Sequence, residues 1–269
     1  MVDKRQLSKP LLQRKLTNMT EQNPSPTPGS QSGLMGRGEY LEVTYSEDRA
    51  PKSGYPDLLA EHVMQNVFRQ PGRLLDIGCG RGDFLNAFSK VGFDVAGIDI
   101  SPSAPDFSPD HTVKVVDLER EPLPFEKASF DFVFTKSVVE HLRSPVTFLE
   151  RAFDALKPGG VIVAMTPSWI HNAWGPFYID HTHVTPFTAP SLKDALTFAG
   201  FEQAKATHFY QLPFLWRLPV LTPVVAMFSK LPLPYRPMNE YGFSDGVNKF
   251  IRFSKEVMLF GVAIKPGPK

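Results

Sequence analysis

One cysteine, Cys79, stands in a chain of 269 residues. A disulfide framework within the chain is thereby excluded, as is a cysteine-rich zinc site, and the composition fits a reducing compartment. Long apolar runs are also missing. The most apolar stretch, Leu218–Phe228, is eleven residues long with two internal prolines, short of the ~18 that a spanning helix requires. The N-terminal MVDKRQLSKPLLQRKL is basic but has no apolar core of the ~7–15 residues that a signal peptide carries. A cytoplasmic location is the expectation. Charge of one sign is absent too: 29 Lys and Arg stand against 28 Asp and Glu, for a net charge of +1. A nucleic-acid partner normally demands a strongly basic domain, so none is expected.

What the chain has in excess is proline, 26 residues, against the usual ~5%. The prolines cluster at the joints. Residues 1–38 form a Pro/Ser/Gly-rich stretch that cannot bury enough apolar surface to order itself, so a flexible tail is expected there. Residues 39–269 then read as one domain, interrupted by a Pro-rich apolar insert at about 213–245. Within the domain, an amphipathic helix over 55–68 leads into an alternation of short apolar runs and helical patterns. Strands are expected at 73–79, 94–100, 112–118, 129–137 and 161–167, with later ones at 203–212 and 256–266. Helices are expected at 82–92, at 144–160 with Ser144 as N-cap, and at 190–201. Three prolines in SPSAPDFSPDH make a full crossover helix doubtful between the second and third strands. Strands that alternate with crossover helices require a largely parallel sheet covered on both faces, an α/β fold.

The turn after the first strand reads Asp76-Ile77-Gly78-Cys79-Gly80-Arg81-Gly82. In an α/β sheet this is where a nucleotide-like ligand sits. The spacing is D-x-G-x-G-x-G rather than the dinucleotide G-x-G-x-x-G. An acid at the strand end repels a pyrophosphate and suits a cationic, amino-acid-like group. Asp99, ending the second strand, suits a pair of ribose hydroxyls. Asp117 and Leu118, ending the third, suit an adenine amino group and its ring. Three acids at three successive strand ends describe an adenosine joined to something positively charged, and S-adenosylmethionine fits.

LLDIGCGRGDFL, VAGIDIS, VVDLEREPLPFEKASFDFVFTKSVVEHL and FLERAFDALKPGGVIVAMTP resemble the successive motifs of the class I S-adenosylmethionine-dependent methyltransferases. The narrower resemblance is to the bacterial small-molecule and glycan group, types 11 and 23, over about residues 55–212. It implies a Rossmann-like sheet of seven strands in the order 3-2-1-4-5-7-6, with strand 7 antiparallel. It also implies that Asp76, Gly78, Cys79 and Gly80 line the methionine end of the cofactor, and Asp99 and Ile100 the ribose. Asp117 and Leu118 would then border the adenine, and Thr135 and Lys136 the sulfonium.

A hydroxyl acceptor needs a base, for which histidine is suited near neutral pH. His171, His181 and His183 crowd the segment after the fifth strand, with Asp180 able to orient an imidazole. His183 is the first candidate and His181 the second; part of this stretch is similar to one that is structural in the family. SVVEHL resembles an E-x-x-E-H motif with which, together with a later histidine, some metal-dependent relatives hold a divalent cation, but Ser137 replaces the first acid. No metal is therefore expected, and Glu140 and His141 read as bracing the loop. TKSVVEH also lacks the (N/D)-P-P-(Y/F) motif of base methyltransferases. The expected activity is O-methylation of a small molecule, a saccharide or a lipid-linked intermediate; a non-catalytic cofactor-binding partner subunit is the alternative. Residues 209–237, with Trp216, Arg217, Lys230 and Arg236 around an apolar centre, suit a lid, a dimer contact or peripheral contact with a membrane, and plain core packing as well.

Overall fold

A computed structural model describes residues 41, 45–46, 50–173, 176–235 and 246–267. The expected tail at 1–38 lies outside them. Helix α1 (Tyr55–Val63) continues through a wider turn to Phe68 and stops at Arg69, which adopts a left-handed conformation. Strand β1 (Arg73–Ile77), helix α2 (Asp83–Lys90) and strand β2 (Asp94–Asp99) follow. The Pro-rich link beyond β2 forms a single turn, α3 (Ala104–Phe107), before β3 (Thr112–Val115). Strand β4 (Phe130–Lys136), helix α4 (Pro145–Ala155) and strand β5 (Leu156–Pro167) complete the parallel part of the sheet.

After β5 come a short α5 (Trp169–Asn172), then α6 (Ala189–Phe198) and β6 (Glu202–Phe209). Short helices α7 (Pro213–Arg217) and α8 (Thr222–Phe228) precede α9 (Gly246–Lys255) and β7 (Met258–Ile264). The seven strands lie in the order β3-β2-β1-β4-β5-β7-β6. Strand β7 runs antiparallel to both β5 and β6, as expected.

Strand alternation gives the sheet two apolar faces. One carries Leu75, Ile77, Ile98, Val133 and Ile162 under Leu149 and Ala152 of α4 and Leu192 and Leu196 of α6. The other carries Leu74, Phe132, Phe134 and Val163 under Leu59 and Val63 of α1 and Leu85 and Phe88 of α2. Here Phe88 packs against Phe68, Phe93 and Phe134 with ring centroids 5.0–6.2 Å apart.

Several boundaries differ from the sequence expectation. The helix expected to run to Gly160 ends at Ala155, because Leu156 turns extended and pairs with Phe130 in the sheet. Ser144 occupies the N-cap position of α4, yet its side chain makes no capping bond. A reciprocal capping box forms instead at Thr188 and Ser191, opening α6. Strand β3 stops at Val115; Val116 still donates to the Asp99 carbonyl, and a turn begins at Asp117.

Phe88 is fully buried in the aromatic cluster that seats α1 and α2. Phe88→Ala is expected to cost about 3–5 kcal/mol of unfolding free energy, the usual range for emptying a buried aromatic site. Urea denaturation checks this.

Candidate active site

The site is built at the carboxyl ends of β1, β2, β4 and β5. Pairing places Ile77 beside Ile98 and Thr135, and Thr135 beside Ala164, so these strand ends lie in register. Between β1 and α2 the chain must turn in very little space. Gly78 has φ +80°, and a Cβ there would lie 2.2 Å from the Val138 side chain. Gly82 has φ +72°, and a Cβ would lie 1.7 Å from Ser108 Oγ. Only glycine meets both demands, a positive φ and a neighbour already in the space of a side chain. The Gly78 and Cys79 amides donate to the Ile98 carbonyl, which draws the turn onto β2.

Asp76 lies beneath this turn, 2% exposed. Its Oδ2 has no hydrogen-bond partner among the described residues. Burial, with the charges of Asp99 and Asp83 added, pushes its carboxyl up to about 8. A buried acid of this kind is stable only if protonated or matched by a cation. Asp99 is tied differently: Oδ2 accepts from the Gly80 amide and Oδ1 from the Ser101 amide, each at 2.8 Å. A carboxylate has about four acceptor sites, so capacity for a hydroxyl donor remains. Burial raises the Asp99 carboxyl, and these amides work against the shift.

The remaining predicted cofactor residues divide. Cys79 is buried, and its Sγ packs 2.8 Å from where a Cβ on Gly97 would stand, so its side chain points into the fold and only its backbone faces the turn. Ile100 is half-buried and Leu118 buried. Asp117 lies beyond the end of β3, where it accepts from the Glu119 amide and pairs with Arg120 at 3.6 Å. Thr135 is buried with its hydroxyl unpartnered among the described residues. Lys136 is half-buried. Its ammonium is driven below the ordinary lysine value by burial, opposed by Glu140 and reinforced by Arg252.

Two contacts around the turn were not anticipated. Leu41 packs 3.6 Å from where a Cβ on Gly80 would stand. Arg81, the one basic residue of the turn, donates to the carbonyls of Tyr45 and Ala50 and pairs with Asp83 at 2.9 Å. Its charge is thus spent on holding the preceding segment.

A second group of polar residues joins the turn after β4 to the loop after β5. Ser137, with φ 58°, begins the β4 turn, and Val138 covers Gly78. The Glu140 carbonyl accepts from the Val184 and Thr185 amides, which ties the turn after β4 to the loop after β5. Its side chain is fully buried: Oε2 accepts from Thr166 Oγ1 at 2.9 Å, and Oε1 has no partner among the described residues. Burial pushes this carboxyl up to about 7.

Beside it, His141 Nδ1 lies 2.8 Å from Thr182 Oγ1, which donates its own proton to Asp180 at 2.5 Å. The hydroxyl proton being used, Nδ1–H is the donor and Nε2 carries the lone pair. His183 Nδ1 lies 2.5 Å from the Phe177 carbonyl, which can only accept, so its Nε2 is free in the same way. The two rings meet edge to face at 4.6 Å. Burial brings His141 down to about 4 and lowers His183, so both imidazoles are neutral at pH 7.

Of the two histidines expected to act, the structure thus brings His183 into this group. His181 is exposed and stands apart from these hydrogen bonds. Asp180 does orient an imidazole, but through Thr182 it is that of His141. His171, the third histidine of the segment, pairs with His208 at 4.7 Å. Ligand atoms of Glu140, His141 and His183 lie within 4.8 Å of one another, a carboxylate and two imidazoles of the kind that binds zinc or a similar divalent ion. The expectation of no metal rests on the missing acid at Ser137; with His183 in the place of the later histidine, three donors nevertheless come together.

A seven-stranded sheet of this order, with a glycine turn over a buried acid and a second acid ending β2, defines the class I S-adenosylmethionine-dependent methyltransferases. The family described as "Methyltransferase domain" matches residues 48–206, more than half of the chain, and the chain belongs to it.

The chain is similar to a ubiquinone biosynthesis O-methyltransferase of Cereibacter sphaeroides, 35% identical over 100 residues that make up 35% of this chain and 40% of that protein. It is similar to a tRNA U34 carboxymethyltransferase of Pseudoalteromonas translucida, 41% identical over 115 residues, 39% of this chain and 35% of that one. Among solved structures, a SAM-dependent methyltransferase from Archaeoglobus fulgidus superposes with a TM-score of 0.54 at 23% identity, over 78% of this chain and 94% of that one. The matched segments span 35% to 65% of the length of the curated relatives. Among the described residues, no helix is long and apolar enough to cross a membrane.

The orphaned Asp76 oxygen, the remaining acceptor capacity of Asp99 and the glycine turn fit S-adenosylmethionine, the cofactor of this class. Because Asp76 holds its proton in the native state far above the unfolded-state pKa, stability should fall as pH rises from about 4 to 8. Asp76→Asn removes that dependence. The melting temperature of the variant should gain on the wild type as pH rises from about 5 to 8, while affinity for S-adenosylhomocysteine falls about tenfold or more. Parallel melting profiles would contradict the assignment.

Proposed function

We propose that this protein is an O-methyltransferase acting on a small molecule, a saccharide or a lipid-linked intermediate. The observation that carries the reading is the pair of neutral imidazoles with Nε2 lone pairs, held by the loop after β5 at the same end of the sheet as the glycine turn. Similarity to proteins named ubiquinone biosynthesis O-methyltransferase supports oxygen as the acceptor atom.

In this proposal Asp76 faces the ammonium of the cofactor, Asp99 the ribose hydroxyls, and Asp117 with Leu118 the adenine; Gly78, Cys79, Gly80 and Ile100 supply backbone and wall. When bound, S-adenosylmethionine supplies an electrophilic methyl group on sulfur. Thr135 and Lys136 border that end of the pocket, where a raised charge density would be unwelcome. Burial holds the Lys136 ammonium below the ordinary lysine value, with Glu140 opposing the shift.

His183 is the proton acceptor. Its Nδ1–H is fixed on the Phe177 carbonyl, so ring orientation is set before an acceptor arrives. As the hydroxyl proton passes to Nε2, the acceptor oxygen becomes nucleophilic enough for in-line displacement. His141 braces that ring edge-on, and its own tautomer is set by the Thr182–Asp180 pair. The Asp180 charge and the Phe177 carbonyl favour the imidazolium that results.

The donor geometry favours one second reading. A divalent ion on Glu140, His141 and His183 would orient the acceptor oxygen and lower its pKa in place of a free base.

His183→Ala is expected to keep cofactor affinity and lose turnover on the order of 100-fold, with His181→Ala unchanged. Activity of the wild type should hold through neutral pH and fall only below the ordinary histidine value of about 6.5, because the His183 pKa is lowered. Methyl transfer from labelled cofactor into host-extract metabolites measures both. Full turnover in chelator is expected. Loss in chelator with recovery on added zinc or magnesium would assign the group to the metal reading, and unchanged turnover in His183→Ala would remove this base from the mechanism.

A further inference from the structure

The segment after β6 is the most apolar part of the chain, and its apolar side chains do not all find a core. Leu215 and Val225 turn inward onto Tyr210, Leu212 and Val257. On the other side of the same short helices, Leu218, Val220, Val224 and Met227 are 53%, 77%, 57% and 68% exposed. Exposed apolar residues scattered singly need no explanation, but four within ten residues of one segment do. Trp216, by contrast, belongs to the interior: it packs against His62 and Phe209 and donates to the Tyr210 carbonyl.

Charge says what covers this face. From Gln203 to Asn239 the sequence contains no acidic residue, whereas Lys205, Arg217, Lys230 and Arg236 lie within it. Arg217 and Lys230 flank the exposed apolar side chains, are themselves exposed, and have no acceptor among the described residues. Helix α9 is docked on α8 through Phe228 and Phe250 at 5.2 Å and through Lys255, which donates to the Ser229 and Leu231 carbonyls. A partner protein that balanced these cations would need its own acidic rim. A bilayer with anionic headgroups offers both the apolar depth and the charge in one surface.

The topology gives this face a direction. Strands β5 and β6 both run antiparallel to β7, and Pro167 and Phe209 both pair with Met258. The chain therefore enters α7 from the end of the sheet where β5 finishes, and α9 hands over to β7 at that same end. That is the end at which the glycine turn and the Glu140–His141–His183 group lie.

We propose that the face made by α7, α8 and the turn between them docks this protein peripherally on an anionic lipid bilayer, with the candidate active site at the membrane-facing end of the sheet. Prolines 219 and 223 keep the helices short and the backbone fixed, so the side chains insert without a helix having to form on binding. This inference stands whether or not the acceptor is lipid-borne.

The full chain is sedimented with phosphatidylcholine vesicles containing about 30% phosphatidylglycerol, and with pure phosphatidylcholine vesicles. Binding to the anionic vesicles alone is expected, weakening as salt is raised. Two double variants change only exposed positions: Val220→Glu with Met227→Glu, and Arg217→Glu with Lys230→Glu. Each should keep the wild-type circular dichroism and melting temperature and lose about tenfold or more of vesicle binding. Failure of the wild type to bind anionic vesicles overturns the proposal. So does undiminished binding by both variants, which would place the contact elsewhere, for instance on the basic N-terminal residues. A dimer in sedimentation velocity that Val220→Glu with Met227→Glu dissociates, without vesicle binding, would give the face to a second copy of the chain.

Discussion

A carboxyl group buried without a partner sets the terms for the rest of this structure. Asp76 stands on a sheet face whose other residues, Leu74 and Phe134, are apolar. There it is kept 2% exposed, with one oxygen unpaired and its proton affinity raised by burial and then by Asp99 and Asp83. The turn above it is built on Gly78, Gly80 and Gly82, with Cys79 directed into the fold and Arg81 onto the preceding segment. The Arg81 guanidinium, the one basic group of the turn, is held by two carbonyls and Asp83. Such arrangements trade stability for a site that is incomplete until a cation arrives.

The acceptor side follows a related rule. The turn after β4 and the loop after β5 are far apart in sequence but stitched together by main-chain bonds to the Glu140 carbonyl and by the Thr185 hydroxyl on the Leu142 carbonyl. That stitching brings His183 against His141. Each imidazole uses Nδ1 internally and leaves Nε2 outward, so both rings are committed to one tautomer before any substrate is present. Orientation by a second layer of hydrogen bonds is what either a base or a metal ligand requires.

The fold was legible because its signals were local and repeated. Apolar runs ending in glycine, such as RLLDIGC, and helices with one apolar face, such as DFLNAFSK, identify a parallel sheet without any long-range information. Gly78 and Gly82 are legible for the same reason, being demanded by the turn itself. The histidine group was only partly legible. His183 stood out beside Asp180, but His141 belongs to a motif whose first acid is Ser137, and its partners Thr182 and Asp180 lie some forty residues away. No spacing rule reveals a contact made by folding a loop back over a strand end. Leu41 on the glycine turn was hidden likewise, since a leucine in a polar N-terminal segment carries no pattern. The reach of α4 was misjudged because Lys157-Pro158-Gly159 reads as a helix stop, whereas strand pairing between Leu156 and Phe130 ends the helix earlier.

The central claim, that Asp76 is held protonated until a cation meets it, has a direct calorimetric signature. S-adenosylhomocysteine is titrated into the protein at pH 7 in buffers of different ionisation enthalpy. If Asp76 gives up its proton on meeting the ligand ammonium, about one proton is released per ligand bound, and the observed enthalpy varies linearly with the buffer's. Binding with an enthalpy independent of buffer would show that no proton moves, and would contradict the account.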